Sequence, residues 1–123
     1  MILADTVIWV DHLNRGSVPE MAALLDAEQI TMHPFVLGEI ALGFLRNRAA
    51  ILRDLADLPQ ATEADDAEVL ALVERQSLFG TGLGWVDAHL LASALLTPET
   101  RLWTRDRRLK EAAERLGVAG APG

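Results

Sequence analysis

The sequence predicts one α/β domain with a mainly parallel central sheet flanked by helices. Three observations point there. Short strand-like runs at Met1–Ala4, Ile30–His33 and Arg101–Thr104 are each followed by a segment of helical length, the alternation that gives parallel strands joined by helical crossovers. The chain has 123 residues, half of them hydrophobic, enough to bury roughly two-thirds of its unfolded surface without staples. No repeat, low-complexity tract or convincing linker divides it, so residues 1–123 read as a single domain.

The elements follow in order. Met1–Ala4 is a short apolar strand that ends at Asp5, and Val7–Leu13 begins a helix. Asn14–Pro19 is a loop, and Glu20–Glu28 reads as a short amphipathic helix. Ile30–His33 is the second strand, and Phe35–Arg46 has helical length. Arg48–Asp57 and Glu63–Gln76 are two further helices. The second opens on Glu63, Asp65, Asp66 and Glu68, acids that suit the positive end of a helix dipole. Ser77–Gly84 is a glycine loop, Trp85–Leu96 a helix and Thr97-Pro98-Glu99 a turn. Arg101–Thr104 is the third strand and Arg105–Leu116 the last helix. The tail, VAGAPG, adds an edge strand or frays.

Composition narrows the function classes. With no cysteine, disulfides, thiolate zinc sites and cysteine nucleophiles are excluded. No signal peptide is visible at MILADTVIWVD, and no apolar run reaches the ~20 residues of a membrane helix, so a soluble cytoplasmic protein is expected. The formal charge of −7 argues against a surface that coats nucleic acid. It leaves room for an enzyme that meets phosphates through a bound metal, because the ion inverts the local electrostatics.

Four of the 18 acidic residues stand in apolar surroundings. Asp5 lies in ILADTVIWV, Glu39 in FVLGEIALGF, Asp87 in GWVDAHLLASALL, and Asp106 just after RLWT. A buried unpaired carboxylate is costly, so such groups are neutralised, paired or bound to metal. Asp5 and Asp106 each follow a strand, and Glu39 is early in the helix after another. Ligands of open α/β sheets bind beyond the carboxyl ends of strands. Four carboxylates converging there make an all-oxygen site suited to magnesium or manganese. Two such ions about 4 Å apart would clamp the attacking and leaving oxygens of a phosphodiester.

Each acid also has a plainer reading. Asp87 is a third-position helix acid after Gly84 as N-cap, Glu39 has Arg46 seven residues on, Asp5 can start a turn with Thr6, and Thr104-Arg105-Asp106 is an ordinary helix start. His12, His33 and His89 have no ligand spacing and read as structural or surface residues. Arg46, Arg48, Arg105, Arg107 and Arg108 are candidate phosphate contacts or solvated helix ends. An aspartate-nucleophile phosphatase would want a second aspartate where Val7 stands, and a lysine near the late acids, where Lys110 is the sole lysine. A catalytically silent module that docks a basic partner peptide on the same acids is the non-enzymatic alternative.

GTGLGWVDAH resembles a phosphate cradle, yet a helix ending precedes it and no Gly-Lys-Ser or Gly-Lys-Thr follows. Gly80, Gly82 and Gly84 are therefore read as a tight turn that delivers Asp87 at a helix start.

At Ala4-Asp5-Thr6, at Glu39-x-x-x-Gly43, at DAHLLASAL from Asp87 and at Thr104-x-Asp106, the chain resembles the PIN-domain nucleases, and within them the small VapC-type toxins of bacterial type II toxin–antitoxin pairs. The likeness covers essentially the whole chain. It implies that Asp5, Glu39, Asp87 and Asp106 form the catalytic acidic quartet around magnesium, with Asp5 and Asp87 holding the ion and Glu39 and Asp106 contributing directly or through water. Manganese is a possible substitute. Thr6 and Thr104 match the supporting hydroxyl positions. It further implies a parallel sheet flanked by helices, endoribonuclease cleavage leaving a 5′-phosphate, a small VapB-like antitoxin whose basic arm covers the acidic groove, and a homodimer. Leu91 departs from the pattern, since a smaller residue is expected there in the helix after Asp87.

Overall fold

The computed structural model describes residues 1–120. Its elements run β1 (Ile2–Ala4), α1 (Thr6–Asn14), α2 (Pro19–Asp26), β2 (Ile30–Thr31), α3 (Pro34–Leu42), α4 (Arg48–Ala56), α5 (Asp66–Arg75), α6 (Trp85–Leu96), β3 (Arg101–Trp103) and α7 (Arg107–Arg115). β1 is the middle strand of a sheet ordered β2-β1-β3, parallel to both neighbours, with Leu3 opposite Thr31 on one side and Leu102 on the other. The expected mainly parallel sheet is present. Isolated parallel bridges widen it at both edges, Met32 to Gln60 and Leu102 to Ala119. The second draws the start of the tail to the sheet edge; residues 121–123, the rest of the expected tail, lie outside the described residues.

The core forms where the sheet meets α6. Leu3, Ala4, Ile30 and Leu102 from the strands pack in one cluster with Ile8, Met21, Leu90, Leu91 and Leu109. Seven consecutive residues of α6, Ala88 to Ala94, are buried. A helix apolar on every side belongs inside a domain, which is what this segment's sequence requires. Leu91 is fully buried there, so the one residue that departs from the family pattern is a core residue.

Helix boundaries differ from expectation where caps decide them. Asp65 accepts from the Glu68 amide at 2.8 Å while Glu68 accepts from the Asp65 amide at 3.0 Å, a reciprocal cap that starts α5 at Asp66 rather than Glu63. α3 ends at Leu42, four residues before Arg46, because Gly43 leaves the helical conformation with an extended backbone. Arg46 is therefore off the helix, and the Glu39–Arg46 alternative loses its shared face. Leu42 and Phe44 are 89% and 87% exposed, so the apolar neighbourhood read around Glu39 is only half real, and Glu39 itself is exposed.

Candidate active site

The three strands end on one side of the sheet, and the chain leaving each carries an acid. Asp5 follows β1 and caps α1, its Oδ1 accepting from the Thr6 amide at 2.7 Å. Asp106 follows β3 and caps α7, its Oδ1 accepting from the Leu109 amide at 3.0 Å. Glu39 stands on α3, the helix that follows β2. Asp87 arrives separately, in the first turn of α6, with Oδ2 accepting from the Gly84 amide at 3.1 Å. Asp87 and Asp106 thus do serve as helix-start acids, and Asp5, read as the start of a turn with Thr6, caps α1. Each cap engages part of a carboxylate and also fixes its direction.

All four acids line one open cleft of about 470 Å³, together with Thr6, Val7, Val86 and Arg105. The two threonines tie the acids to one another. Thr104 Oγ donates to Asp5 Oδ2 at 2.8 Å and accepts from the Asp106 amide at 3.0 Å, so one hydroxyl joins β3, β1 and the start of α7. Thr6 Oγ donates to Glu39 Oε1 at 2.6 Å, which couples α1 to α3. A hydroxyl in each place gives a donor to the carboxylate without adding charge.

The electrostatics agree with the shared cleft. The Asp87 carboxyl is pushed above the usual aspartate range, first by burial, and further by the charges of Asp5, Asp106 and Glu39, while the Gly84 amide pulls it back. The charges of three acids from other parts of the fold therefore reach Asp87. Among the described residues no three of these acids are gathered into a closed ligand cage; they face an open cleft instead. The donor chemistry still suits a hard divalent ion that keeps part of its water shell, because all four side chains offer carboxylate oxygen.

The histidines lie elsewhere and do structural work. His12 accepts the Val18 amide at 3.0 Å, and His33 caps α3 by accepting the Phe35 amide at 2.9 Å. His89 is buried, reaches Asp66 at 3.1 Å and sits between the rings of Phe35 and Trp85. Of the arginines named above, Arg105 lines the cleft, paired with Asp11 on α1 at 2.6 Å. No local pattern marks that pair, whose members are 94 residues apart.

The PIN domain family model matches residues 2–115. The chain belongs to the PIN-domain family. It is 46% identical over 119 residues to Ribonuclease VapC32 of Mycobacterium tuberculosis, in strains CDC 1551 and H37Rv alike, an alignment covering 97% of this chain and 95% of the relative. That likeness makes it a PIN domain of the VapC type. A chain of the FitAcB crystal structure from Neisseria gonorrhoeae has the same fold, with a TM-score of 0.65 at 20% identity over 97% of this chain and 95% of that one.

Proposed function

We propose that this chain, residues 1–123 acting as one PIN nuclease domain, is a magnesium-dependent endoribonuclease and the toxin of a type II toxin–antitoxin pair. The relative named Ribonuclease VapC32 supports the class of reaction. One observation supports the site: Asp5, Glu39, Asp87 and Asp106 line a single cleft, where burial first, and then the charges of the other three acids, raise the proton affinity of Asp87. A group of anions that raises one member's demand for a proton offers the same field to a divalent cation.

Asp5 and Asp87 would hold the magnesium ion, with Glu39 and Asp106 beside them, directly or through water. When bound, the ion supplies positive charge that makes water a better nucleophile and offsets charge developing on the scissile phosphate. The protein's own part is orientation. The Thr6 amide and the Thr104 hydroxyl fix both oxygens of Asp5. Thr6 aims Glu39, and the Gly84 amide aims Asp87. Magnesium suits this open donor set better than a cation needing a full protein cage, because it commonly keeps several waters and takes one or two carboxylates. The substrate is RNA. The partners are a small VapB-like antitoxin with a basic arm and a second copy of the chain, all in the cytoplasm.

The test is cleavage of purified bacterial RNA with magnesium, read by sequencing the new ends. Asp5→Asn and Asp87→Asn should each abolish it, and the parent's ends should carry 5′-phosphates. Metal-dependent cleavage surviving in both single variants would sink the site assignment. Expression in a bacterial host should arrest growth, and a companion antitoxin gene should relieve the arrest.

A further inference from the structure

An RNA backbone meets four carboxylates in this cleft, on a chain whose formal charge is −7. Phosphate contacts supply much of the affinity of any nucleic-acid complex, so a cation fixed at such a cleft matters more than one elsewhere. Five of the ten arginines are candidate phosphate contacts by sequence, and their surroundings separate them. Arg48 folds back onto the carbonyls of Ala41 and Gly43. Arg107 pairs with Glu111 at 3.0 Å on the solvent side of α7. Arg108 lies against Gly82. Arg46 sits in the connection between α3 and α4 and does not line the cleft. Arg105 does line it.

Its backbone is anchored inside the site, between Thr104, which bonds Asp5, and Asp106. Its side chain reaches α1, where Nη1 donates to Asp11 Oδ2 at 2.6 Å. Arg15 Nε stands 3.9 Å from the other oxygen of Asp11. The Arg105 side chain is 47% exposed, and an ion pair this open favours its closed form by a factor of only about 5 or less. An RNA phosphate offers the guanidinium the same forked acceptor geometry as a carboxylate, so one can replace the other at little cost. Arg15 would remain beside Asp11 after the exchange.

We infer that Arg105 is the RNA-phosphate contact of this cleft, and that Asp11 holds its guanidinium in reserve until a phosphodiester displaces it. This rests on the ribonuclease reading above. Arg105 touches substrate; Asp11 is a positioning residue that acts through it.

Binding is read by fluorescence anisotropy with a labelled single-stranded RNA pool of randomised sequence, in magnesium, with every variant carried in an Asp87→Asn background. Arg105→Ala should weaken binding about 10-fold and lower the slope of log affinity against log salt by about 0.7, the contribution of one single-strand phosphate contact. Arg105→Lys should keep the salt slope and lose only part of the affinity. Asp11→Asn should tighten binding about threefold by removing the competitor, a result that a merely structural role would not produce. Melting temperatures equal to that of the background protein would show that the fold is intact. An unchanged salt slope in Arg105→Ala, or weaker binding in Asp11→Asn, overturns the inference. The protein with Asp87 intact is tested for cleavage alongside. If it cuts RNA while Arg105→Ala binds normally, only the inference falls; if it neither binds nor cuts RNA, the ribonuclease reading falls and takes the inference with it.

Discussion

Two titrating side chains, Asp87 and His33, carry pH dependences of different origin. Burial and three neighbouring acids raise the Asp87 carboxyl above its ordinary range. The folded protein therefore binds that proton more tightly than the unfolded chain, so the ionised group opposes folding at neutral pH and is relieved as pH falls through its folded value. Asp87→Asn keeps an acceptor for the Gly84 amide and removes the charge. Without metal it should melt at or above the parent temperature at pH 7, with the gain vanishing in acid. A clear loss at pH 7 would make Asp87 a structural partner instead. His33 behaves differently. Burial, then the nearby His89, lower its pKa from 6.5 to about 4, and its Nε2 is buried without a partner. Between those values the unfolded chain takes up a proton that the folded one refuses. Stability is full above pH 6.5 and declines towards pH 4, by up to about 3 kcal/mol. His33→Asn keeps a side-chain acceptor for the cap and should flatten this slope in denaturant titrations between pH 6.5 and 5.

At the scale of elements, the site depends on how strand ends and helix starts are joined. Thr104→Val removes the hydroxyl shared by Asp5 and the Asp106 amide, leaving the shape nearly unchanged. The loss should be about 2 kcal/mol of stability, typical of hydrogen bonding to a charged group, together with most of the cleavage activity; Thr104→Ser should restore both. The glycine loop offers a second test. Gly80 and Gly82 both have positive φ, +72° and +87°, but their surroundings differ. A Cβ at Gly80 meets open space, whereas one at Gly82 falls 2.8 Å from Arg108 Nη1 and 3.0 Å from its Cδ. Gly80→Ala should show backbone strain alone, about 1 kcal/mol. At Gly82 the added methyl meets only the far end of the exposed Arg108 side chain, which can swing aside. Gly82→Ala should therefore cost about as much as Gly80→Ala, and Arg108→Ala in the same chain should change neither stability nor cleavage much further; a much larger loss at Gly82 would show that Arg108 is held in place.

For the whole molecule, a metal that joins acids from α1, α3, α6 and α7 should stabilise the fold as well as activate it. Magnesium at ten times its dissociation constant contributes about 1.4 kcal/mol, which should raise the melting temperature by roughly 3–6 °C in a domain of this size. The rise should disappear in Asp87→Asn. A rise that persists there would place magnesium outside this cleft.

Much of this was legible in the chain, because strand and helix periodicity are local properties. The short runs before Asp5 and Asp106 form parallel neighbours, and the largely apolar stretch after Asp87 becomes α6, buried from Ala88 to Ala94. Helix ends were harder to read. α3 stops at Leu42 because Gly43 turns extended, although the apolar residues continue through Leu45. The acids stand out by their unusual neighbours, yet the apolar frame of Glu39 implies a burial that its exposed side chain does not have.

The family, the alternating α/β pattern and four acids in apolar frames are all legible in runs of neighbouring residues. That those acids share one cleft, that Thr104 bridges two of them and that Arg105 crosses to Asp11 emerges only in the folded chain. Distance along the chain accounts for the difference. Thr104 is 99 residues from Asp5 and Arg105 is 94 from Asp11, so these contacts exist only once β1 and β3 have paired in register and brought the two ends of the sequence together.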